Sequence, residues 1–86
     1  MEMRINIHSV ANIMANIINF NFKQNNLPEI RFSYMLDILN DLDEGDGILE
    51  NIIYALERLK IDEKIKDKIT NEIIDEIKFQ YNINLI

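Results

Sequence analysis

Seven carboxylates lie between Phe32 and Glu57, and no lysine or arginine lies among them. They are Asp37, Asp41, Asp43, Glu44, Asp46, Glu50 and Glu57. The whole chain carries a formal net charge of −6, so this one span accounts for all of the excess. Clustered carboxylates can hold a hard cation, or they can present a negative field to a basic partner.

The cation reading rests on the run Asp41-x-Asp43-x-Gly45-Asp46-Gly47-Ile48. Oxygen ligands at alternate positions, a glycine turn and an apolar eighth residue are what a calcium loop needs. The pattern then fails. Gly47 stands one place late for the sharp turn, and the twelfth position is Ile52 where a bidentate Glu belongs. A plain helix–helix turn fits better, and no bound metal is expected.

The partner reading is sharper. On a helical wheel Asp37 and Asp41 share an outer face, with Tyr34 one turn before them. Glu50 and Glu57 share another, with Tyr54 between. Like charges one turn apart cost a few tenths of a kcal/mol in an isolated helix, and an interface would explain their repeated use. Tyrosine adds apolar area with a polar tip and is enriched at binding hot spots. The expected docking face is therefore Tyr34, Asp37, Asp41, Asp43, Glu44, Asp46, Glu50, Tyr54 and Glu57. The plainer alternative is a solvated surface with rings that cover the edges of the core.

Other chemistry lacks its residues. The chain has no cysteine, which excludes disulfides, thiolate zinc sites and cysteine nucleophiles. Missing disulfides in so small a domain favour the cytoplasm. His8 is the only histidine, and no pattern marks it as a general base. Ser9 and Ser33 are the only serines, and neither stands in a nucleophile elbow. An acyl-carrier role would need a serine where the chain reads Asp46-Gly47-Ile48. There is no glycine-rich phosphate loop. No enzyme activity is expected, and no cofactor is called for.

These residues need elements to hold them. The length of 86 residues suits one domain, taken as 1–86, and hydrophobic residues make up 48%, enough for one core. The first helix is predicted over 8–20, from Ile7, Val10, Ala11, Met14, Ile17 and Ile18 at three- and four-residue spacing. Asn21 would fall in its apolar arc, so the helix is expected to stop before it. Ser9, Asn12, Asn16 and Asn19 form an uncharged outer row, either a hydrogen-bonding face or a product of the chain's heavy asparagine usage; the second is preferred.

Pro28 at a first helical position predicts a helix over 28–42, with Phe32, Met35, Leu36, Ile38, Leu39 and Leu42 inward. Gly45 and Gly47 end it. A third helix is predicted over 47–60, burying Ile48, Leu49, Ile52, Leu56 and Leu59, with Ile53 and Ala55 at the edges. Asp62 is a good N-cap for a fourth over 62–80. There Ile65, Ile69, Ile73, Ile77 and Tyr81 form a ridge, and Asp62 with Lys66 and Asp75 with Lys78 are potential ion pairs on a solvated face. The fold class is all-α, a small antiparallel bundle of about four helices. A minor alternative pairs the two ends as a two-stranded ribbon, because Met1, Met3, Ile5 and Ile7 alternate with polar residues, as do Tyr81, Ile83 and Leu85. The stretch from Ile5 to Phe22 is broken by Asn, His8 and Ser9, so it reads as neither a signal segment nor a membrane span.

The expected function is protein binding. An acidic bundle can cover the basic cleft of a nuclease, with Asp and Glu at positions that phosphates would occupy. Immunity proteins and antitoxins against nucleic-acid-cleaving toxins work in this way, as do phage-type DNA mimics. The expected partner is a basic protein, not nucleic acid and not a membrane. The alternative is a structural or regulatory homodimer, joined through exposed apolar residues such as Ile30 and Phe79 and the asparagine row. A sizing column separates the two, a monomer favouring the inhibitor. A DNA-binding hairpin is disfavoured, because Glu50 and Glu57 would face phosphates.

Overall fold

Asn6 starts the first helix with its own side chain: Oδ1 accepts the His8 N–H at 2.8 Å, as an N-cap does. The structure is a computed structural model that describes residues 6–42 and 47–81. Its helices are α1, Ile7–Gln24; α2, Phe32–Asp41; α3, Ile48–Arg58; and α4, Glu63–Tyr81. No described residue is in a strand; of the ribbon proposed for the two ends, Ile7 and Tyr81 are helical and the other residues lie outside the described ones. No helix among them is long and apolar enough to cross a membrane.

Helix α1 does not stop before Asn21; it runs four residues further than the predicted 8–20. Asn21 is 1% exposed and stays helical because its amide is fully used. Nδ2 donates to the Ile17 carbonyl at 2.9 Å and to Glu72 Oε1 at 2.8 Å. Oδ1 accepts from Lys68 Nζ at 2.6 Å. A polar residue on the apolar arc therefore ties α1 to α4 in place of ending α1. The helix ends at Asn25 and Asn26. Asn26 has φ 57°, and the Leu27 N–H reaches back to the Phe22 carbonyl at 2.8 Å, a left-handed termination that asparagine tolerates.

Helix α2 begins at Phe32, four residues after the predicted start at Pro28. Asn19 explains the delay. Its Nδ2 donates to the Ile30 carbonyl at 2.9 Å and its Oδ1 accepts the Ile30 N–H at 2.8 Å. Both backbone groups of Ile30 are thereby held on α1, and neither is free to join a helical ladder. Phe32, expected inward, is 41% exposed; as the first residue of α2 it leans on His8, with ring centroids 6.4 Å apart. The other predicted boundaries hold to within two residues. Asp62 caps α4 through Oδ1, which accepts the Lys64 N–H at 2.9 Å.

Each helix packs on two others: α1 on α2 and α4, and α3 on α2 and α4. The result is a four-sided bundle with α1 and α4 on one side and α2 and α3 on the other. Its radius of gyration is 12.3 Å, against about 12 Å for a compact chain of this length. Met14, Ile18, Met35, Ile52, Leu56, Ile69, Ile73 and Ile77 are fully buried at the centre. Ile69, Ile73 and Ile77 are the ridge that the sequence predicts, with Ile65 and Tyr81 half-buried at its ends. Ile13, Ala15 and Phe22 are buried on α1 as well, outside the predicted stripe. A helix with two packed neighbours needs a wider apolar arc than one stripe supplies.

Candidate functional site

Helix α2 presents Tyr34, Asp37 and Asp41 outward because Met35, Ile38 and Leu39 fill its buried arc. On α3 the buried Ile52, Ala55 and Leu56 leave Glu50, Tyr54 and Glu57 outside. All six of these expected face residues are exposed, Tyr34 to 51% and Tyr54 to 43%. The remaining three, Asp43, Glu44 and Asp46, lie outside the described residues, as does half of the calcium-loop-like run 41–48. Among the described residues no group of three or more acids or histidines is gathered closely enough to hold a metal ion.

Two of the acids are answered by the chain's own cations. Asp41 Oδ2 accepts from Arg58 Nη1 at 2.9 Å. Glu57 Oε1 lies 4.0 Å from Lys66 Nζ on α4. Both pairs are exposed enough for water to weaken them. Asp37 and Glu50 form no ion pair among the described residues. The acid-only span ends one residue before Arg58, and that single arginine reaches back into it.

The Asp41–Arg58 pair also fixes how α2 meets α3. Asp41 is the last residue of α2 and Arg58 the last of α3. In a tight hairpin Asp41 would sit beside the first turn of α3, about 15 Å from its last turn. Instead the two C-terminal ends meet. A connection of six residues, 42–47, is long enough to reach, since six residues drawn out cover at most about 20 Å. The described acids of α2 and α3 therefore do not gather at one turn, where an antiparallel helix–turn–helix would put them.

A second surface brings Phe79 and Asn16, both named above for a homodimer, together with Phe20, which was not. A shallow open groove of about 510 Å³ lies between α1 and α4, lined in part by Asn16, Phe20, Glu72, Asp75, Glu76 and Phe79. Phe20 is 59% exposed and Phe79 82%. The helices run antiparallel here: Asn21 meets Lys68 and Glu72, while the groove pairs earlier residues of α1 with later residues of α4. The ion pairs expected on α4 do not form among the described residues. Asp62 turns to its capping bond, Lys66 reaches α3, and Lys68 pairs with Glu72 at 3.4 Å. Of the uncharged row on α1, Asn19 bonds within the chain, while Asn12 and Asn16 are exposed.

Comparison with known proteins finds no family model, curated protein or solved structure that matches this chain.

Proposed function

We propose that this chain is a protein-binding inhibitor without catalytic activity of its own, of the immunity or antitoxin kind. Its partner is a basic, nucleic-acid-cleaving protein, and it docks through the outer faces of α2 and α3. The observation that carries the reading is the separation of charge from core. The whole net charge of −6 stems from the span 32–57, and every described acid of that span is exposed. Such a field speeds encounter with a basic cleft and stands in for phosphates once docked.

Within that face the roles divide. Of the described acids, Asp37 and Glu50, without ion-pair partners among the described residues, supply the larger part of the attraction. Asp41 and Glu57 supply less, because Arg58 and Lys66 lie beside them. Tyr34 and Tyr54 supply the short-range contacts, and both rings are open to a partner. Loss of a hot-spot tyrosine costs on the order of 1–3 kcal/mol of affinity.

Growth rescue tests the reading. Immunity proteins and antitoxins are encoded beside their targets, so the product of the adjacent gene is the natural probe. The expected result is that this product is basic and arrests growth of a bacterial host, and that co-expression of this chain restores growth. Asp37→Lys combined with Glu50→Lys should abolish the rescue while the chain still folds. A toxic neighbour that the wild-type chain does not relieve, or that the double variant relieves equally well, contradicts the proposal.

A further inference from the structure

We propose that the outer row of α4 is a self-complementary docking surface for a second copy of this chain. The two α4 helices would lie antiparallel about a two-fold axis level with the midpoint between Asn71 and Glu72. The row consists of Lys64, Lys68, Asn71, Asp75 and Phe79, all exposed. Their spacing of four, three, four and four residues keeps them in one stripe about 80° wide.

The order of types along the stripe carries the argument. Lys68 and Asp75 stand equally far from the midpoint, and so do Lys64 and Phe79. In an antiparallel pair each Lys68 therefore opposes Asp75 of the second copy. Each Lys64 opposes Phe79, a cation over an aromatic face. An isologous interface requires a patch that complements itself, and this row does so at both of its distinct levels.

No single-sign partner fits as well. A basic segment would meet Lys64 and Lys68 on the same stripe, and an acidic one would meet Asp75 beside Glu72 and Glu76. Only an occupant whose charge runs the opposite way satisfies both ends, and a reversed copy of the same helix has that order.

The groove adds apolar area. Phe79 and Phe20 are the two most exposed large hydrophobic residues described, at 82% and 59%, and both line it. Lys68 can take a further partner in place of its long contacts to Glu72, at 3.4 and 3.5 Å. Its side chain is 55% exposed, and its ammonium has three donors, engaged here by Asn21 and Glu72. Lys66, which meets Glu57 of α3, lies on the side of α4 turned away from the row, so the proposed dimer leaves the acids of α2 and α3 open. It stands independently of the inhibitor reading. One helix face plus Phe20 is a small interface, so the association is weak, with a dissociation constant of about 10–500 µM.

Sedimentation equilibrium of the full chain tests this. The wild type should dimerise. Asp75→Lys alone and Lys68→Glu alone should each weaken the dimer about tenfold or more, because each sets like charges opposite at two symmetric places. A one-to-one mixture of these two variants should recover wild-type strength, since the reversed sites then oppose each other. Phe79→Ser should also weaken it, and at 82% exposure this change leaves the core untouched. Circular dichroism checks the fold of each variant. If Lys68→Glu unfolds, Asp75→Lys and Phe79→Ser decide alone, and a dimer unchanged by both overturns the proposal. A wild type that stays monomeric at about 1 mM overturns it, as does a mixture no stronger than its components.

Discussion

Asparagine does structural work in this chain that its polarity alone does not reveal. Asn19 and Asn21 lie on α1, and each uses both ends of its amide. Asn19 holds the N–H and carbonyl of Ile30, and removing it strips both groups of their partner. Asn19→Ala is expected to lower stability by about 1–3 kcal/mol, read as a lower urea midpoint at unchanged slope. Asn21 is buried between partners that are themselves half-open, Lys68 and Glu72. Asn21→Ala should cost about 1–2 kcal/mol. Asn21→Leu should cost less, because Lys68 and Glu72 can pair with each other and with water while leucine fills the apolar arc. A thermal melt of the two variants side by side checks the order, and a leucine variant less stable than the alanine variant would contradict it. The sequence shows asparagines at these positions but not the distant groups they meet. Ile30 lies 11 residues from Asn19 and Glu72 lies 51 from Asn21, so neither pairing has a local signal.

At the scale of elements, apolar periodicity marked all four helices, and where the spacing was strongest it marked the buried residues too. The Ile69, Ile73 and Ile77 ridge is buried to 0% exposure, because four-residue spacing on one helix admits few other arrangements. Boundaries were legible where a local cap sets them and not where a tertiary bond does. Asp62 capped α4 as its type predicts; Pro28 opened no helix, because Asn19 held the chain extended past it. Gly47 is a boundary of the local kind. It precedes α3 with φ 89° and ψ 161°, backbone that only glycine enters readily. Space is not the obstacle, since an added Cβ would meet nothing within 4 Å. Gly47→Ala is therefore expected to destabilise by about 1–3 kcal/mol through backbone strain alone. Its thermal midpoint should fall, whereas strain-free Gly→Ala changes raise it.

At the scale of the whole molecule, the chain divides its surface. One side, α2 and α3, carries the excess acid with two exposed tyrosines. The other, α1 and α4, carries a dipolar row and two exposed phenylalanines. The first side was legible because charge and wheel position are local properties of a sequence. Of the second, Phe79 and the asparagine row were legible and Phe20 was not, because Phe20 and Phe79 lie 59 residues apart and come together only once α1 packs on α4. The division also changes what a sizing column can decide. A dimer joined through α4 leaves the acidic side free, so self-association and inhibition are compatible.

The most direct test of the acidic side compares two baits, the wild-type chain and the Asp37→Lys/Glu50→Lys variant, on lysate from the source cells. Both positions face water, so the variant should fold with a change of within about 0.5 kcal/mol per site. A basic protein should be retained by wild type, lost from the variant, and released as salt rises and screening shortens. Purified, that protein should have nuclease activity that the wild-type chain suppresses and the variant does not. The same proteins held equally by both baits, at low salt as well as high, would show that the acidic side is only a solvated surface and would contradict the account.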